Sequence, residues 1–164
     1  MRHPAVLADL RARIARIEVA HAGHEIIPFG VESLDARLPA GGIATGALHE
    51  VAGSSQLADD ASATIFLAGI LARTAGPVFW CLRWRDLFAP ALHLAGLHPD
   101  RVTYVETGSD AHVLLAMEEC LRHAGLAGVV GEVTKYSSTA SKRLQLAAET
   151  SGGPRRSSYS HEKA

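Results

Sequence analysis

The sequence predicts an α/β protein with a parallel sheet covered by helices on both faces. Three observations carry this. Short runs at Pro77–Leu82, Arg101–Glu106 and Leu126–Val130 read as strands, two of them apolar throughout. Segments of helical periodicity lie between them. Capping or turn residues mark the joints. Strands that are apolar throughout belong in a sheet buried on both sides, which a parallel sheet is. At 164 residues, 48% apolar and 20% charged, the chain has the size and balance of one globular domain with a tail, which excludes global disorder.

The elements follow in order. Leu7, Leu10, Ile14 and Ile17 recur at steps of three and four, so residues 1–24 comprise an amphipathic helix and a connector. That helix either packs on its own domain or docks on another protein. Residues 25–150 form the core. Pro28, Gly30, Pro39, Gly41, Gly42 and Gly46 make its opening rich in turns, with one short helix around Leu34 and Leu38. Ala47–Val51 is the first strand of the alternation. A helix spans Ala61–Arg73, with Asp59 and Asp60 at its N-cap. After the strand at Pro77–Leu82, Asp86 caps a helix through Leu94. After Arg101–Glu106, Ser109 or Asp110 caps a helix to His123. After Leu126–Val130, Ser137 or Ser138 starts a helix ending near Thr150. Residues 151–164 hold one aromatic and no aliphatic larger than alanine, so they read as a disordered polar tail.

Composition also bounds function. The longest uncharged apolar stretch, Ala61–Ala72, is shorter than the ~18 residues a membrane span needs. Met1-Arg2-His3-Pro4 does not lead into the apolar core of a secretory signal. Sixteen basic against seventeen acidic residues leave a net charge of −1, without the basic excess of a dedicated nucleic-acid binder. Cys81 and Cys120 are too few for a disulfide framework, and Cys81 reads as a buried thiol. The expected compartment is the cytoplasm. His21 and His24, like His93 and His98, lack the spacing of a zinc site, so no metal is expected.

A strand, Gly53, a polar loop and a helix have the layout of a phosphate-binding loop. Such a loop aims free backbone N–H groups at the phosphates. Its pattern is G-x-x-x-x-G-K-[ST], with lysine on the β/γ-phosphates and the hydroxyl on Mg²⁺. Counted from Gly53 through Ser54 and Ser55, the second glycine becomes Ala58, the lysine Asp59 and the hydroxyl Asp60. A three-residue insertion brings Ser62 or Thr64 into the hydroxyl position but supplies no lysine. The first lysine of the chain is Lys135. A carboxylate near a phosphate repels it by about 1 kcal/mol in water and several times more near a protein surface. Normal ATP binding is therefore not expected.

Leu34-Asp35, Leu38, Gly41-Gly42-Ile43, Gly46, Leu48, Glu50-Val51 and Gly53 resemble, at matching spacing, the segment that precedes the phosphate loop in the RecA recombinase core. More narrowly, the chain resembles the ImuA-like branch of the SulA/ImuA/RecA superfamily. The carrying segments are Pro28-Phe29-Gly30, Gly46 to Gly53, Val78 to Arg83, Gly131-Glu132-Val133 and Ser141 to Glu149. The resemblance covers roughly residues 5 to 150. It implies a RecA-like sheet, incomplete at the C-terminus and preceded by an N-terminal helix.

For function, it implies an accessory protein of bacterial damage-induced (SOS) mutagenesis and translesion DNA synthesis. The implied partners are an ImuB-like inactive Y-family polymerase homologue, an error-prone DnaE-type polymerase and RecA. Two alternatives stay open: a RecA-class ATP-binding repair protein, and a SulA-like inhibitor of cell division.

Departures from RecA point away from an enzyme. Arg83 stands where the catalytic glutamate would be, and arginine cannot take a proton from water. Glu132 matches the Mg²⁺-site aspartate only in part. The implied degenerate site comprises Gly53, Ser54, Ser55, Ser62, Thr64 and Glu132, with no cofactor. Leu10, Ile14 and Ile17 are candidate partner contacts, since RecA-like proteins dock an N-terminal helix on a neighbour. Arg83-Trp84-Arg85 closes a strand at the end where α/β proteins place their sites. It is either a partner contact or a solvated loop with the tryptophan lying on the domain.

The resemblance places one further strand between Ala47–Val51 and Leu126–Val130. The change at Gly153-Pro154-Arg155-Arg156 reads as a truncation or frameshift, so that strand is expected to be missing and the isolated chain to be weakly stable. The region that would carry RecA's DNA-binding loops is likewise expected to be missing, so direct DNA binding is not expected.

Overall fold

The computed structural model describes residues 25–53, 57–123, 125–150 and 157–162, the last segment for its backbone. The helix predicted around Leu10, Ile14 and Ile17, and loop residues Ser54 and Ser55, lie outside the described residues.

The chain opens with a small antiparallel pair, β1 (Ile26–Ile27) and β2 (Ile43–Ala44). Between them runs a short helix, α1 (Glu32–Asp35), and a 3-10 turn at Pro39–Gly41. The glycine-rich opening is structural. The Asp35 carboxylate accepts the backbone N–H groups of Phe29 and Gly30 at 2.7 and 2.9 Å. A Cβ at Gly42 would lie 2.4 Å from the Ile27 carbonyl oxygen, so only glycine lets the two strands approach.

The main sheet contains β3 (Leu48–Ala52), β4 (Val78–Leu82), β5 (Val102–Glu106), β6 (Gly128–Val133) and β7 (Ser157–Glu162). Its order is β3-β7-β6-β4-β5, and every pairing is parallel. The connecting helices are α2 (Leu57–Ala72), α3 (Ala89–Leu94), α4 (Asp110–Leu121) and α5 (Ser138–Thr150). Alternation along the strands divides the core in two. Val78, Trp80, Leu82 and Val130 pack with Leu67 and Leu71 of α2 and Leu92 of α3. On the other face, Cys81, Val129 and Val133 pack with Val113, Met117 and Leu121 of α4 and Leu144 of α5. This is the predicted α/β sheet with helices on both faces.

Several boundaries move, for physical reasons. α2 begins at Leu57, so Asp59 and Asp60 sit inside its first turn rather than at its N-cap, where carboxylates favour the positive end of the helix dipole. Asp86 does not cap α3. The helix starts at Ala89 without a side-chain cap, with a proline in its first turn. Ser109, not Asp110, caps α4 by accepting the His112 N–H. Ser137 accepts the Ala140 N–H at the start of α5. β6 runs through Gly131 and Glu132 and ends at Val133, beyond the apolar run that predicts it.

The largest correction concerns the tail. Residues 157–162 are not without structure; they form β7, in the slot that was expected to be empty. Leu48 to Ala52 of β3 pair with Ser158 to Glu162, and Gly128 to Val133 of β6 pair with Ser157 to Glu162. Side-chain polarity argued against a buried strand. The ladder, however, is made by peptide groups, and a strand flanked on both sides satisfies them whatever its side chains. Pro154 and Arg155 lie outside the described residues.

Candidate functional site

The ends of β3, β4 and β6 meet the first turns of α2 at one edge of the molecule. At Gly53, just past β3, a Cβ would lie 3.0 Å from Asp60 Oδ1, so this glycine lets the strand end close against α2. Asp60, Ala61, Thr64 and Ile65 of α2 form one wall of a cleft of about 380 Å³. Asp86, Leu87, Phe88 and Ala91 form the other, with Glu132 of β6 at its base. Thr64 therefore lines the cleft, whereas Ser62 is exposed and does not line it. Three carboxylate residues, Asp60, Asp86 and Glu132, line this cleft, which Gly53 does not line. No lysine of the described residues lines it.

Glu132 has a structural partner. It is 3% exposed, and its Oε1 accepts the indole N–H of Trp80 at 2.8 Å. Register explains the meeting: Trp80 pairs with Val130, and Glu132, two residues on, shares that face. A buried tryptophan needs an acceptor for its one donor. The apolar strand Val78–Leu82 carries that need in its sequence, although only the sheet order shows which residue meets it.

Arg83 leaves the end of β4 and pairs with Asp110, Nε to Oδ1 at 3.2 Å. The other Asp110 oxygen accepts the backbone N–H groups of Thr134 and Lys135, both at 3.1 Å. The first residue of α4 thus ties the ends of β4 and β6 together. The Arg83 guanidinium also lies over the Trp84 ring, 5.5 Å from its centroid, and Arg85 lies 5.9 Å from the Tyr104 ring. Burial pushes the Tyr104 phenol above its ordinary value, and the Arg85 charge opposes this. Both arginines therefore have partners within the domain. Trp84 stands 56% exposed. Phe88, at the mouth of the cleft, is 69% exposed.

Elsewhere, the His93 and His98 rings meet edge to face at 5.5 Å. Among the described residues no group of three or more histidine, cysteine, aspartate or glutamate side chains is placed to hold a metal ion. None of the described helices is long and apolar enough to cross a membrane.

The arrangement is a parallel sheet in the order β3-β7-β6-β4-β5, with a cleft at its carboxyl edge bordered by carboxylates. That defines an α/β core of the SulA/RecA type. SulA from Pseudomonas aeruginosa has a similar structure, with a TM-score of 0.54 at 22% identity, covering 70% of this chain and 97% of that one. The chain is also similar to Protein ImuA from two strains of Caulobacter vibrioides, at 37% identity over 134 residues in each case. This match covers 78% of the chain and 54% of the relative, so the chain spans about half the length of the curated relatives it matches. No protein-family model matches it. The chain is ImuA-like.

Proposed function

We propose that this protein is a non-catalytic accessory factor of SOS mutagenesis and translesion DNA synthesis in the cytoplasm, acting through protein–protein contacts. One observation carries the non-catalytic part. Asp59 and Asp60 stand in the first turn of α2, where a phosphate-binding helix would carry lysine and a hydroxyl, and no lysine precedes Lys135 in the chain. Phosphoryl transfer needs a phosphate-binding cation, a metal ligand and a residue that positions water, all together. Here Glu132 is committed to Trp80 and Arg83 to Asp110. The ImuA resemblance supports the biological setting. It makes an ImuB-like polymerase homologue, a DnaE-type polymerase and RecA the partners to test.

The solvent-facing Trp84 and Phe88 are the contacts we assign to a partner, because exposed aromatics beside arginine are typical of binding hot spots. Co-purification with an ImuB-like protein is expected, unaffected by added Mg-ATP and weakened by Trp84→Ala with Phe88→Ala. Calorimetry is expected to show no Mg²⁺-dependent ATP binding in the micromolar range. Micromolar affinity would favour the ATP-binding alternative. Capture of an FtsZ-like protein instead would favour the cell-division reading.

A further inference from the structure

Cys81 and Cys120 lie far apart in the chain, on β4 and α4, yet they meet in the core. The register of the sheet sets Cys81 directly opposite Gly131 of β6. Gly131 has no side chain, and Met117 of α4 fills the space above it: a Cβ there would lie 2.0 Å from the Met117 sulfur. Cys120 follows Met117 by three residues, one turn on and on the same side of the helix. Cys81, Met117 and Cys120 accordingly share one apolar cluster. Cys81 is closed to solvent, and Cys120 is partly open to it.

We propose that Cys81 and Cys120 form a peroxide-oxidisable dithiol that closes into an intramolecular disulfide between β4 and α4. Cys120 is the attacking sulfur, since it is the one that solvent reaches. Its thiolate attacks one oxygen of hydrogen peroxide, the O–O bond breaks, and hydroxide leaves, giving a sulfenic acid at Cys120. Cys81 then attacks the Cys120 sulfur. The S–O bond breaks, the disulfide forms and water leaves with the Cys81 proton. Two thiols are oxidised by two electrons, and one peroxide is reduced to two waters. The hydrogen bond between the sulfurs favours this division of labour. Cys81 keeps its proton and donates it, which, with burial, holds Cys81 far above the usual thiol value. The same bond draws Cys120 below that value, against its own partial burial and the nearby Glu119 charge. The pair is independent of the cleft and of the proposed function.

The test uses the full chain, treated with hydrogen peroxide, then denatured and labelled with N-ethylmaleimide. The reduced protein is expected to take two labels. The oxidised protein is expected to take none, to stay monomeric, to be lighter by two hydrogens, and to yield a peptide linking Cys81 to Cys120; dithiothreitol restores both labels. In Cys81→Ser, dimedone is expected to trap a sulfenic acid on Cys120. Retention of both labels would overturn the proposal, as would a bridge between chains or direct conversion of Cys120 to sulfinic acid while Cys81 stays labelled. The linked peptide decides the matter on the unsubstituted protein, even if a variant fails to fold.

Discussion

Trp80 of β4 and Glu132 of β6 join these adjacent strands by an indole-to-carboxylate hydrogen bond of 2.8 Å, with 0% and 3% of their surfaces exposed. The residue best matched to a metal-site acid is therefore part of the framework. Glu132→Gln keeps an acceptor and is expected to be nearly neutral. Glu132→Leu leaves the indole donor buried without this acceptor, at about 1–3 kcal/mol. In the Trp80→Phe background Glu132→Leu is expected to cost much less than it does alone, because the buried donor is then gone, although Trp80→Phe carries its own cavity cost. Urea melts of the two single variants and the double variant measure the coupling.

Asp110 holds three groups, Arg83 and the backbone of Thr134 and Lys135, so its removal is expected to matter more than removal of Arg83 alone. Asp110→Ala should cost about 2 kcal/mol, since it orphans two backbone donors. Arg83→Ala should cost less than about 1 kcal/mol, because its ion pair is partly exposed. Equal losses in chemical denaturation would show that the ion pair, and not the backbone bonds, dominates.

Gly131 and Met117 occupy one space. Gly131→Ala is expected to destabilise the fold by about 1–3 kcal/mol through overpacking. Met117→Val, which shortens the intruding side chain, should be less harmful in the Gly131→Ala background than alone. Thermal melts showing simple additivity would refute the shared-space account.

β7 fills the sheet between β3 and β6, so removing residues 154–164 is expected to expose two internal edges at once. The full chain should melt cooperatively as a soluble monomer. The shortened chain should lose that transition and aggregate, as judged by calorimetry and light scattering. An unchanged melt would mean that β3 and β6 pair directly.

Much of this architecture was legible from residues alone. The continuous apolar run Val78–Leu82, the helical spacing of Leu67, Ile70 and Leu71, and the Ser109 and Ser137 caps are local patterns, and local patterns specify elements. The absence of lysine before Lys135 is likewise a property of the chain itself, and it already argued against a working phosphate loop. Tertiary structure decided the rest. Whether Ser157–Glu162 pairs depends on two strands more than twenty residues away in the chain, whose peptide groups no side-chain pattern reports. Whether Glu132 serves a metal or a tryptophan depends on which strand lies beside β6. Whether Cys81 meets Cys120 depends on α4 crossing the glycine at position 131. Each of these turns on groups distant in sequence and adjacent in space, and only the order and register of the folded sheet bring them together.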